Sequence, residues 1–132
     1  MGKSMPDEQA PLVLVVEDND FNRVLVEAIL GDAFRVAGAG SAEEARQLLE
    51  GIEPDLILMD MRLPGMQGLD FTRELKGTDH VGTPIVALTA NATENDRQAA
   101  LEAGCADFIT KPVDTRTLNE RLGAILARRA VS

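Results

Sequence analysis

The sequence predicts an α/β fold in which one parallel sheet carries helices on both of its faces. Five short apolar runs alternate along the 132 residues with segments of helical periodicity. Three of these runs are almost continuously apolar, which is typical of parallel strands that are buried on both faces. Because crossovers between parallel strands are right-handed, the alternation favours a doubly wound (βα)5 arrangement. A chain of this length forms one ordinary domain.

The predicted strands are the apolar runs themselves. In chain order they are Leu12–Val16, Phe34–Ala37, Leu56–Met59, Ile85–Leu88 and Phe108–Ile109. The first, third and fourth are the nearly continuous ones. Each run leads into a segment with helical spacing, so strands and helices are expected to alternate without a break.

The first three helices are predicted from apolar spacing and from capping residues. The first is expected to end at Gly31, with its apolar stripe at Phe21, Leu25, Ala28 and Ile29. Ser41 and Glu44 fit a capping box that opens the second helix. The third is expected from about Met66 to Lys76.

The last two helices differ in the strength of their apolar faces. Thr93 is placed to cap the fourth helix, which is expected to end at Gly104. Its apolar side is mostly alanine plus Leu101, so it is the weakest amphipathic segment of the five. Asp114 is placed to cap the fifth, whose apolar stripe is Leu118, Leu122, Ile125 and Leu126.

Composition limits the classes of function. The net charge of −9 repels phosphate backbones, which argues against nucleic-acid binding by this chain. No apolar run approaches the roughly 20 residues that span a bilayer, so no membrane partner is expected. The N-terminus lacks the apolar core of a secretory signal, and the single Cys105 suits a reducing cytoplasm. We expect residues 1–10 to be a flexible tail and residues 11–130 to form the domain.

Polar and charged groups follow four of the five predicted strands. Open parallel sheets bind ligands at the carboxyl ends of their strands, so these groups mark the expected site. They are Glu17-Asp18-Asn19-Asp20, Asp60 with the loop to Gly65, Thr89-Ala90-Asn91, and Thr110-Lys111-Pro112.

This set of residue types fits phosphoryl transfer. Carboxylates from Glu17, Asp18 and Asp60 would repel one another unless a cation lay between them. Mg²⁺ prefers oxygen ligands and one or two carboxylates together with a phosphate oxygen. Lys111 supplies a positive charge and Thr89 a hydroxyl donor, and an aspartate can form an acyl phosphate. Each feature alone is more typical of a cap, a turn or a surface residue; their joint order at successive strand ends carries the prediction.

Four segments at these strand ends resemble the receiver domains of response regulators in two-component signalling. They are Val15–Asn19 (VVEDN), Asp55–Asp70 (DLILMDMRLPGMQGLD), Ile85–Ala90 (IVALTA) and Gly104–Val113 (GCADFITKPV). The resemblance extends over residues 11–128. Within the family, the sequence is most similar to stand-alone regulators and to receiver modules of hybrid kinases. It implies a flavodoxin-like receiver fold with strand order 2-1-3-4-5.

The resemblance also implies a role for each residue of the site. Asp60 occupies the phospho-acceptor position, and Thr89 and Lys111 match the catalytic groups that contact the phosphoryl oxygens. The family's Mg²⁺ ligands would be Glu17, Asp18, Asp60 and the backbone carbonyl of Arg62. Thr89 and Phe108 match the conformational switch positions, and the bond before Pro112 is expected to be cis.

The function implied is a phospho-switch without a DNA-binding output domain. The donor would be a histidine kinase or a histidine phosphotransfer protein, and the chain would catalyse only its own phosphorylation and dephosphorylation. A downstream protein is expected on the face of the fourth helix, fifth strand and fifth helix; the first helix, where phosphotransfer domains dock in this family, is the other candidate surface.

The residues argue against three other functions. An aspartyl-phosphate phosphatase usually has a second aspartate two positions past the nucleophile, where this chain has Arg62. An inactive receiver would lack one of Glu17, Asp18, Asp60, Thr89 and Lys111, and none of them is missing. A flavin carrier would have a hydroxyl- and glycine-rich first loop, whereas this loop is acidic.

Overall fold

The computed structural model describes residues 9–63, 65–90 and 93–131. Five parallel strands form one sheet: β1 (Leu12–Val16), β2 (Arg35–Ala39), β3 (Leu56–Asp60), β4 (Ile85–Thr89) and β5 (Asp107–Thr110). Their spatial order is β2-β1-β3-β4-β5. The predicted fold class and strand order are confirmed.

Within the described residues, five helices cover the sheet. They are α1 (Asp20–Leu30), α2 (Ala42–Leu49), α3 (Gly68–Lys76), α4 (Glu94–Ala103) and α5 (Leu118–Val131). One apolar core lies between the sheet and α1 with α5, and the other lies between the sheet and α2, α3 and α4. Successive side chains of a strand point to opposite faces, so β1 divides its residues between the two cores.

The predicted apolar stripe of α1 is wrong at three of its four residues, whereas the fourth, Ile29, is half-buried and packs against the core. Val26 and Leu30 face the core, whereas Phe21 is 75% exposed and Leu25 and Ala28 are also exposed. This helix is apolar on more than one side, so the sequence offers two stripes with helical spacing. Phe34 is buried beside Leu30, and its position after the helix extends the stripe that begins at Val26.

The start of α3 lies two residues later than predicted. Met66–Gln67 pairs antiparallel with Arg62–Leu63 in a short hairpin. The amide of Gly68 then donates to the carbonyl oxygen of Met61 at 3.0 Å. Backbone pairing with residues three, five and seven positions earlier therefore replaces the first helical turn.

The predicted caps of α2 and α4 are confirmed. Ser41 accepts from the amide of Glu44, and Thr93 accepts from the amide of Asp96. Gly104 ends α4 with φ of +109°, a conformation that suits glycine. However, the Glu44 carboxylate accepts from Gly40 rather than from Ser41, so this capping box is shifted by one residue.

Two further expectations about the last helices need correction. Leu101 does not join the apolar side of α4, because it is 42% exposed; Ala100 and Ala103 are the residues that α4 buries. Asp114 caps a turn that precedes α5, with its carboxylate accepting from the amide of Arg116. The α-helix itself begins at Leu118.

In the described part of the chain, no helix combines the length and apolar character needed to span a bilayer. The expected flexible tail lies outside the described residues except for Gln9 and Ala10. The carbonyl oxygen of Ala10 accepts from the Arg35 guanidinium at 2.8 Å. Asn91 also lies outside the described residues.

Candidate phosphoryl-transfer site

The carboxyl ends of the two central strands bring three carboxylates together. Val16 of β1 is paired with Met59 of β3, so the residues that follow them, Glu17 and Asp60, are neighbours. Ligand oxygens of Glu17, Asp18 and Asp60 all lie within 4.8 Å of one another. Glu17 is only 1% exposed and Asp60 is buried, whereas Asp18 is exposed. The site therefore has two buried carboxylates beneath one that is open to solvent.

Lys111 reaches these carboxylates from the end of β5. Its ammonium nitrogen lies 2.9 Å from Glu17 Oε2 and 3.0 Å from Asp60 Oδ2. Its amide donates to the carbonyl oxygen of Thr89 at 2.8 Å, which fixes the backbone beside β4. The next peptide bond, Lys111–Pro112, is cis.

Burial and charge shift the pKa values of two of these groups. Desolvation, together with the neighbouring Asp60, raises the pKa of Glu17 above its usual range, although Lys111 opposes the shift. Burial alone would lower the pKa of Lys111, but its contacts with Glu17 and Asp60 raise it. Lys111 is therefore a fixed positive charge at neutral pH, next to a carboxyl group that ionises less readily than an exposed one.

The loop after β3 positions the carboxylate of Asp60. The amide of Arg62 donates to Asp60 Oδ1 at 3.0 Å, and the amide of Met61 donates to the carbonyl oxygen of Leu88. Gly68 packs directly against the Asp60 carbonyl, where a Cβ atom would clash with the backbone. Gly65, with φ of +75°, makes the turn between the two hairpin segments.

The remaining predicted site residues lie around the same cluster. Thr89 at the end of β4 and Arg62 border a cavity of about 310 Å³ that contains the acidic residues and Lys111. Asn22 of α1 also borders this cavity, and sequence reasoning missed it. The position of Asn22 could have indicated this, because it lies one turn after the acidic loop on the helix that this loop begins.

A second cavity lies on the other side of Thr89. It measures about 300 Å³ and is bordered by α3, α4, Ala87 and the half-buried Phe108. Thr89 and Arg62 border both cavities. The predicted switch residues Thr89 and Phe108 therefore both border the second cavity, and Thr89 also borders the acidic site.

The donor set suits a hard divalent cation. The three clustered side chains offer carboxylate oxygens only, without the histidine or thiolate ligands that favour zinc. Two of them are buried with one ammonium group between them, so a cation at the exposed side would face uncompensated negative charge. These residues fit Mg²⁺.

Known receiver domains are similar to this chain. A model of the response regulator receiver domain family matches residues 13–123. The chain is 39% identical over 119 residues to the transcriptional regulatory protein AfsQ1 of Streptomyces coelicolor, covering 89% of this chain and 52% of that protein. It is 36% identical over 125 residues to the sensor histidine kinase GacS of Pseudomonas protegens, covering 88% of this chain and 14% of the kinase.

Solved structures of receiver domains are also similar to this chain. The receiver domain of the sensor histidine kinase PA1611 from Pseudomonas aeruginosa, which has a magnesium ion coordinated in its active-site cleft, matches with a TM-score of 0.75 and 37% identity, over 93% of this chain and 99% of that one. A response regulator receiver domain protein from Methanospirillum hungatei matches with a TM-score of 0.85 and 25% identity, over 92% and 98%.

The chain spans about half the length of the curated transcriptional regulators it matches. The family match, by contrast, covers the sheet from the second residue of β1 onward and every residue of the acidic site. The chain therefore belongs to the response regulator receiver domain family of two-component systems.

Proposed function

We propose that the chain accepts a phosphoryl group on Asp60 from a phosphohistidine donor, in a reaction that depends on Mg²⁺. The observation that carries this proposal is the convergence of Glu17, Asp18, Asp60 and Lys111 at one end of the sheet. Asp60 attacks the phosphorus, the bond between phosphorus and the donor's imidazole nitrogen breaks, and an acyl phosphate forms on residue 60.

The chain's own groups position and neutralise the transferred phosphoryl group. The amide of Arg62 orients one oxygen of the Asp60 carboxylate, and the other oxygen is held by Lys111. As negative charge arrives, Lys111 moves its contact to a phosphoryl oxygen, and the Thr89 hydroxyl binds another. Glu17, Asp18, Asp60 and the carbonyl of Arg62 would hold Mg²⁺, which would supply further charge neutralisation when bound.

The donor docks on the exposed apolar face of α1. Phe21, Val24 and Leu25 are exposed there, next to the acidic site. Leu25 also borders an apolar cleft of about 310 Å³ that runs along Pro112 and Val113 to Glu17 and Lys111. Contiguous exposed apolar surface of this kind marks a protein-interaction site, and here it leads directly to the acceptor. The donor is a histidine kinase or a histidine phosphotransfer protein.

The output face is made by α4, β5 and α5. Among its residues α4 buries only Ala100 and Ala103, so few apolar contacts hold it in one position. Arg121 of α5 contacts Asp107 and the carbonyl of Phe108, which joins α5 to β5. Phosphorylation draws Thr89 toward Asp60, Phe108 moves toward the vacated cavity, and α4 shifts with it. A downstream protein binds the altered face.

The chain acts as a cytoplasmic switch and not as an enzyme with a separate substrate. Arg62 stands two positions past Asp60, where an aspartyl phosphatase of the kind considered above would carry an acid/base aspartate. The only turnover we propose is the slow hydrolysis of its own acyl phosphate.

Intact-mass measurement tests the proposal. The purified chain is treated with acetyl phosphate in Mg²⁺ and, separately, in EDTA. We expect one phosphate adduct in Mg²⁺, a large loss of it in EDTA, and none in Asp60→Asn. Asp70→Asn, an exposed aspartate of α3 that is ion-paired with Arg73, is the matched control and should still form the adduct. An adduct that persists in Asp60→Asn, or forms equally in EDTA, rejects the proposed function.

A further inference from the structure

Arg23 of α1 bonds to the main chain that carries the acidic pair. Its side chain is 21% exposed, and it turns back from the helix toward the end of β1. Nη1 donates to the carbonyl oxygen of Glu17 at 2.9 Å, and Nη2 donates to Asp20 Oδ1 at 2.7 Å. One guanidinium group thus spans the loop that contains both predicted Mg²⁺ ligands of this segment.

Gly38 in β2 and Gly40 just after this strand lie beside the contact. A Cβ atom on Gly38 would clash with the Glu27 carboxylate and would lie 3.3 Å from Arg23 Cδ, and one on Gly40 would lie 3.4 Å from Nη1. Between them, the carbonyl of Ala39 accepts from the Glu17 amide at 3.0 Å. The peptide groups on both sides of Glu17 are therefore held, one by the end of β2 and the other by Arg23.

Given the proposed function, we infer that Arg23 is a positioning residue for the Mg²⁺ site. It fixes the Glu17 carbonyl and, through Asp20, the first turn of α1. The Glu17–Asp18 segment then presents its carboxylates to Asp60 without a conformational cost when the cation binds. Groups that orient metal ligands typically contribute about 10–100-fold in affinity.

The positive charge of Arg23, taken alone, would lower the affinity for Mg²⁺, which is the opposite of what positioning does. A guanidinium close to the acidic cluster repels a divalent cation, so removing it would tighten Mg²⁺ binding if charge alone mattered. Removing the hydrogen bonds would weaken Mg²⁺ binding if positioning mattered. The sign of the change in affinity therefore separates the two roles.

The test is calorimetric titration of the unphosphorylated full chain with MgCl2. We expect Arg23→Gln to bind Mg²⁺ about tenfold more weakly than the wild type. Arg23→Lys keeps the charge and one donor, and should fall between the two. Arg73→Gln is the matched control, because Arg73 also pairs with an aspartate three residues earlier on its helix; its affinity should be unchanged.

A second readout separates positioning from general damage. In phosphorylation by acetyl phosphate, Arg23→Gln should need about tenfold more Mg²⁺ for half-maximal rate, while the rate at saturating Mg²⁺ stays within about twofold of the wild type. A thermal melt reports whether the variant is folded; if Arg23→Gln is not, the Arg23→Lys titration decides.

Unchanged or tighter Mg²⁺ binding by folded Arg23→Gln overturns this inference and leaves the proposed function intact. If Arg23→Gln does not fold, wild-type affinity of Arg23→Lys for Mg²⁺ overturns the inference. A wild-type chain that binds no Mg²⁺ rejects both.

Discussion

Replacing Lys111 by methionine should destabilise the protein in a way that depends on pH and on Mg²⁺. The substitution keeps most of the apolar stem but removes the ammonium group between Glu17 and Asp60. Breaking a buried ion pair costs about 3–5 kcal/mol. The side chain of Lys111 is 24% exposed, so solvent screening reduces this to about 2–3 kcal/mol at pH 7. For a domain of this size that lowers Tm by roughly 10 °C.

The dependence on pH follows from the pKa of each group. Lys111 has a raised pKa in the folded state, so its contribution is complete below its ordinary pKa and is lost only at alkaline pH. The pKa of Glu17 is already raised in the folded protein and rises further without Lys111. A carboxyl group with a raised folded-state pKa favours folding at low pH, and this advantage is lost as pH rises. The difference between variant and wild type should therefore be largest near neutral pH and shrink toward pH 4.

Thermal unfolding between pH 4 and 8, with and without 10 mM MgCl2, measures both effects. We expect Mg²⁺ to restore part of the loss in Lys111→Met, since a cation at the carboxylates replaces the missing charge. Lys76→Met is the control: Lys76 donates to the carbonyl oxygens of Val81 and Thr83 rather than to a carboxylate. A loss of thermal stability in Lys111→Met that is the same at pH 4 and pH 7, or that Mg²⁺ does not reduce, would refute the electrostatic reasoning.

Three further substitutions test individual roles. Asp18→Ala should weaken Mg²⁺ binding by at least about tenfold, or 1.4 kcal/mol. The loss should exceed that in Glu17→Ala, because Asp18 is exposed whereas Glu17 is buried and paired with Lys111. A titration that shows the reverse order contradicts this assignment. Arg62→Ala should lose its acyl phosphate about threefold faster than the wild type, a change of roughly 0.6 kcal/mol in the barrier to hydrolysis. The reason is that the exposed Arg62 side chain borders the mouth of the site and obstructs the attacking water. Equal or slower decay in the variant would show that Arg62 does not protect the acyl phosphate. Thr89→Ala should still be phosphorylated but should blunt the amide shifts at Phe108 that beryllofluoride induces; full-sized shifts in the variant would show that Thr89 does not transmit the signal.

The sheet and the site were predictable because both depend on short-range features of the sequence. Continuous apolar runs identify strands buried on both faces, and the residues directly after them must lie at one edge of a parallel sheet. Glu17, Asp60 and Lys111 meet for that reason, and their distances required no further information than strand order. The resemblance to receivers added the order itself.

Other features depended on contacts that the sequence does not show. The buried side of α1 was predicted wrongly because Phe21 and Leu25 have the same helical spacing as Val26 and Leu30. Only packing against α5 and the sheet selects between them. The start of α3 was missed because Met66–Gln67 pairs with Arg62–Leu63, and the contact between Arg23 and Glu17 depends on β2 lying beside β1.

Chemical trapping of the acyl phosphate tests the central claim most directly. Borohydride reduces an aspartyl phosphate to homoserine, and peptide mass spectrometry then locates the altered residue. After treatment with acetyl phosphate and Mg²⁺, we expect homoserine at position 60 alone, and none when Mg²⁺ is replaced by EDTA. Homoserine at position 18 or at another aspartate, or its absence from position 60 in a sample that carries the phosphate mass, would contradict the account.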